Sequence, residues 1–77
     1  MEADIVAFLE ELHPETDFSK SQDYVSDGLL DSFDLVSLVA MIEEKFSVFI
    51  DALDIVPENF ASAQAIAGLV SKSGGGA

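Results

Sequence analysis

Seventy-seven residues make one domain that buries only about 60 to 65% of its unfolded surface, a core too thin for a deep catalytic pocket. Fifteen acidic side chains against three lysines give a net charge of −12, which excludes nucleic acid and anionic lipid as partners and favours proteins with basic docking surfaces. The absence of cysteine excludes a disulfide framework, a thiolate nucleophile and a cysteine metal site, so any thiol the chain works with is imported and a cytoplasmic setting is expected.

Ile5, Phe8, Leu9 and Leu12 recur at helical spacing, with Glu2 and Asp4 at the favourable N-terminal end and Pro14 forbidding continuation much past His13. Residues 14–30 then mix Pro14, Thr16, Asp17, Ser19, Ser21, Asp23 and Gly28 with Phe18, Tyr24, Val25, Leu29 and Leu30. This pattern predicts a long loop pinned to the core by its apolar residues. A second helix is predicted from Ser32 to about Phe46. At 100° per residue, Leu35, Leu38, Val39, Ile42 and Phe46 share its core side. Phe33, Ser37, Ala40, Met41 and Glu44 fall on the opposite side, an apolar and acidic strip centred on Ala40, with Val36 and Met41 at the edges of the core face. Val48, Phe49 and Ile50 lead into a connector. Pro57 suits the first turn of a short helix to Phe60, and Ser62 is placed to cap a last helix through Ala63, Ile66, Leu69 and Val70, weakened by Gly68.

The hydrophobic share of 49% is too high for an acidic disordered chain. No strand-like alternation, internal repeat or second domain is present. The expected fold is all-α, a small three- to four-helix bundle with a long loop between the first and second helices, spanning residues 1–72 with residues 73–77 as a disordered tail. The acidic start, Met1-Glu2-Ala3-Asp4, is unlike a secretion signal. No apolar run approaches the roughly 18 residues of a membrane span, so membrane insertion is not expected.

The segment Asp27-Gly28-Leu29-Leu30-Asp31-Ser32-Phe33 sets one serine hydroxyl at the mouth of the apolar second helix. A helix start leaves backbone N–H groups unpaired and carries partial positive charge, so a phosphoester on Ser32 would be tolerated there. Taken alone, Asp-Ser before a helix is an ordinary capping pair. An esterase-type serine needs a neighbouring base or a Gly-x-Ser-x-Gly elbow. Neither stands beside Ser32 in the sequence, and His13 is the sole histidine.

The wider pattern resembles the second-helix signature of acyl carrier proteins: residues 27–34, then Val36, Leu38, Val39 and Ile42-Glu43-Glu44-Lys45-Phe46. Residues 48–50, 54–60 and 62–66 are similar to the third and fourth helices of the same family, so the resemblance spans roughly residues 3–71. It implies a non-catalytic carrier. Ser32 would be esterified with phosphopantetheine from coenzyme A by a phosphopantetheinyl transferase, and acyl or aminoacyl groups would ride on the arm as thioesters. By the same resemblance Asp31 supports the transferase's metal ion. Phe33, Val36, Ser37, Ala40, Met41, Glu43 and Glu44 would meet partner enzymes, namely an acyl or aminoacyl ligase and downstream transferases or synthases. Such acid-to-base pairs speed encounter more than they deepen affinity, as a shuttle working as a monomer requires. Ser37 stands where fatty-acid carriers frequently have an acid, and Gly28-Leu29-Leu30-Asp31-Ser32-Phe33 looks closer to D-alanyl and specialised-pathway carriers.

Two other readings compete. Asp23, Asp27, Gly28, Leu30, Asp31 and Asp34 fall in register with an EF-hand calcium loop, although Val25 brings no side-chain oxygen and Asp34 replaces the longer bidentate Glu. An acidic, non-covalent interaction domain would use Ser32 only as a cap and the strip of Phe33, Ala40 and Met41 as its binding face.

Overall fold

The computed structural model describes residues 2–74, and in these the chain is all-helical, with three α-helices and no strand. Helix α1 spans Glu2–Leu12 and buries Ile5 and Leu9 completely, with Phe8 and Leu12 half-buried beside them. Its last turn closes when the His13 N–H donates to the Leu9 carbonyl at 3.0 Å, and Pro14 then stops it. Helix α2 spans Ser32–Phe46 and buries the predicted face, Leu35, Leu38, Val39 and Ile42, while Phe46 is half-buried with its ring edge-on to Phe8 at 6.5 Å. Helix α3 spans Ala63–Lys72 and buries Ala63, Ile66, Leu69 and Val70, packing against α1. Ser62 caps it by accepting the Ala65 N–H on its hydroxyl at 3.1 Å.

Residues 13–31 join α1 to α2 and contain a single 3-10 turn, Phe18–Lys20, capped by Asp17. Tyr24 anchors this stretch. Its backbone N–H donates to the Ala61 carbonyl at 2.8 Å, its hydroxyl accepts the Ala63 N–H at 3.3 Å, and its ring meets Phe18 edge-on at 5.1 Å. The Tyr24 carbonyl in turn accepts the N–H groups of Leu29 and Leu30. The reversal this needs passes through Gly28, whose φ of +78° lies in the left-handed region that only glycine enters cheaply. Leu30 is thereby driven into the core immediately before Ser32.

The stretch after α2 is more ordered than a plain connector. Asp51 accepts the Leu53 N–H at 2.9 Å and caps a 3-10 turn, Ala52–Asp54. The short helix begun by Pro57 is also 3-10, over Pro57–Phe60, and plants Phe60 fully inside the core. At the C-terminal end, Ser73, the first residue of the expected tail, is the C-cap of α3. Its N–H and hydroxyl both bond the Leu69 carbonyl and Gly74 turns left-handed at φ +98°, because the last helical carbonyls need donors. The rest of the predicted tail, residues 75–77, lies outside the described residues. No described helix is long and apolar enough to cross a membrane.

Candidate functional site

The site is built at the first turn of α2. Asp31 is its N-cap, with extended backbone, and its Oδ1 accepts the Asp34 N–H at 2.9 Å. Asp34 reciprocates, its Oδ2 accepting the Asp31 N–H at 3.1 Å, which completes a capping box with two of the helix's orphan donors satisfied. Ser32 lies between these partners as the first helical residue. It is exposed, and the box bonds run through Asp31 and Asp34 rather than through its hydroxyl. The side chain therefore stands in water beside partial positive charge, the place where a phosphoester is tolerated.

A third side chain reaches this turn from elsewhere in the chain. His13, just beyond α1, places Nε2 at 2.9 Å from Asp34 Oδ2, and its ring lies 6.3 Å from that of Phe18. An ionised carboxylate only accepts, so Nε2 is the protonated nitrogen and donates. The sequence puts no base beside Ser32. Folding brings this histidine to the same turn, yet commits its Nε2 proton to Asp34. Burial pushes the Asp34 carboxyl up, but the bonds from His13 and the Asp31 N–H outweigh it and hold the group below the usual carboxylate range.

The predicted partner residues divide. Phe33 is 77% exposed and Val36 62% exposed, so two large apolar side chains flank the serine in solvent. Ala40 and Glu44 are exposed, and Ser37 and Met41 are half-buried. Met41 and Glu44 line a cleft of about 430 Å3 with Phe8, Glu11 and Lys45, between α1 and α2. Glu43 does something the sequence did not announce: its Oε2 accepts the N–H of buried Ile50 at 2.9 Å, tying the chain back after the helix end. Phe49, expected only to lead into the connector, and Leu53, which the sequence did not single out, are 79% and 84% exposed. Neighbouring Ile50 is buried while Phe49 is exposed, so adjacent apolar residues point opposite ways, and no periodicity in so short a segment tells which is which.

The acids of the EF-hand register do not converge. Asp23 accepts the Ser26 N–H, Asp27 accepts the Ser21 hydroxyl, Asp31 caps α2 and Asp34 holds His13. Among the described residues no group of three or more His, Cys, Asp or Glu side chains gathers as a ligand set.

No family model, curated protein or solved structure matches this chain. The likeness to acyl carriers rests on the residues quoted above.

Proposed function

We propose that this chain is a carrier protein that holds acyl or aminoacyl intermediates as thioesters on a phosphopantetheine arm attached to Ser32. The observation that carries this reading is the exposed Ser32 hydroxyl at the first turn of α2, left out of a capping box that fixes the residues on both sides. The residues present suit phosphopantetheine: the exposed Ser32 hydroxyl would hold it, the partial positive charge of the helix start would tolerate its phosphate, and no cysteine would compete with its thiol. When bound, the arm supplies the thiol on which cargo is carried.

Ser32 contributes the oxygen. Its O–H bond breaks, an O–P bond forms to the pantetheine-side phosphate of coenzyme A, 3′,5′-ADP leaves, and the proton passes to solvent or to the transferase. Asp31 keeps one carboxylate oxygen on the helix cap while the group as a whole is exposed, so capping and support of the transferase's metal ion are compatible. Phe33 and Val36 give partner enzymes apolar contact beside the arm, and Ala40, Met41 and Glu44 extend that face. The remaining acids attract basic docking surfaces.

The finer architecture belongs to the same proposal: a small bundle whose long connection between α1 and α2 ends at the modified serine. We place the chain nearer to D-alanyl or specialised-pathway carriers than to fatty-acid carriers, in the cytoplasm, working as a monomer. A non-covalent interaction domain is the second reading, favoured by the exposure of Phe33, Val36, Phe49 and Leu53. Intact mass after incubation with coenzyme A, magnesium and a broad-specificity phosphopantetheinyl transferase separates the two. The carrier reading expects one phosphopantetheine adduct on the wild type and none on Ser32→Ala; the interaction-domain reading expects none on either.

A further inference from the structure

His13 and Asp34 lie 21 residues apart in sequence, yet a 2.9 Å hydrogen bond joins them and ties the residue just past α1 to the first turn of α2. The oxygen that accepts His13 Nε2–H is the same Oδ2 that accepts the Asp31 N–H, while Asp31 Oδ1 accepts the Asp34 N–H and the Asp31 carbonyl accepts the Leu35 N–H at 3.1 Å. Ser32 sits inside this closed set of bonds, between the two residues that make it. A capping box needs only its own two members. The His13 side chain is 30% exposed, so water would serve its ring nitrogen if Asp34 were absent. What His13 adds is a third point of attachment. Buried Leu30 and Leu35 tie the chain on either side of this turn to the core, and the contact from His13, just past α1 with its ring against Phe18, adds a direct tie to the Asp34 carboxylate that closes the box.

We infer that His13 is a positioning residue for Ser32: by holding Asp34 through Nε2, it locks the capping box and so fixes the orientation in which the Ser32 hydroxyl is offered to a modifying enzyme. The functional consequence rests on the carrier reading, whereas the ordering of the turn does not. A reacting oxygen whose carrier turn wanders spends less time in line with the phosphorus it attacks, so loss of His13 lowers the rate of transfer more than the binding of the chain.

The test compares wild type with His13→Ala and with His13→Gln, whose amide nitrogen reaches nearly as far as Nε2 and restores a donor. Hydrogen exchange reads the turn directly. In His13→Ala the Asp31, Asp34 and Leu35 amides exchange about tenfold faster, those of α3 keep their wild-type rates, and His13→Gln returns the three to within about twofold of wild type. Transfer from coenzyme A by the same transferase reads the consequence: kcat falls about tenfold in His13→Ala with KM for the protein unchanged, and His13→Gln recovers most of it. Unchanged exchange at the three amides, a uniform acceleration that includes α3, or faster exchange with an unaltered kcat each overturns the assignment. If the wild type is not modified at all, the carrier reading fails, and the exchange pattern still decides whether His13 orders the turn.

Discussion

The two ends of α2 use the same device for different purposes. At each end a carboxylate from the helix accepts a backbone N–H just outside it, Asp34 from Asp31 at the start and Glu43 from Ile50 at the finish. At the start the ordered turn exposes a hydroxyl, with a histidine from another element bound to the carboxylate. At the finish the ordered turn exposes apolar side chains, Phe49 and Leu53, and further bonds follow, the Leu53 N–H donating to Asp51 and the Asn59 side-chain amide donating to the Asp54 carbonyl. Rigidity therefore does not mark a site by itself. Both ends also hold apolar side chains out to solvent, Phe33 and Val36 at the start and Phe49 and Leu53 at the finish; what differs is the exposed Ser32 hydroxyl inside the capping box at the start.

Glu43→Ala strips a partner from the N–H of Ile50, a residue only 3% exposed, and is expected to cost about 1 to 2 kcal/mol in urea unfolding. Glu43→Gln retains an acceptor and is expected to recover most of that loss. Equal destabilisation by both variants would mean that charge, not the hydrogen bond, matters there.

At the other end the effect depends on pH. The folded-state pKa of Asp34 lies below its unfolded value, so Asp34 adds stability that is fully present above about pH 4 and is lost as pH falls through the folded value. Melting temperatures of wild type and Asp34→Asn are expected to differ most near neutrality and to converge on acidification. Curves that stay parallel down to pH 2 would contradict the depressed pKa.

The smallest effect is expected just past α2. Ser47 terminates the helix at φ +54°, ψ +46°, a left-handed conformation that is strained for a residue with a Cβ. Ser47→Gly relieves that strain and adds backbone entropy to the unfolded chain, for a net stabilisation of about 0.5 kcal/mol. A lowered midpoint in denaturant would show the hydroxyl to be doing more than terminating the helix.

The all-helical fold was legible because its signals are local and periodic. The apolar repeats of Ile5 and Leu9, of Leu35 to Ile42, and of Ile66 to Val70 mark buried faces, and Pro14, Pro57 and Ser62 mark boundaries. The start of α2 was legible for the same reason, since Asp31 and Ser32 open a helix whose angle sends Phe33 away from the core. The contributions of His13, Glu43 and Tyr24 were not. Each joins residues that are distant in sequence or across a turn, His13 to Asp34, Glu43 to Ile50 and the Tyr24 hydroxyl to Ala63, and no periodicity encodes such a pairing.

The central claim is that one hydroxyl among nine serines is the acceptor. Proteolysis of the transferase-treated protein, followed by fragmentation mass spectrometry, locates the adduct directly. The account predicts a phosphopantetheine ester on Ser32 alone, within the peptide that carries Asp31 and Phe33. An adduct on Ser26 or Ser37, or no adduct on any serine of a folded sample, would contradict it.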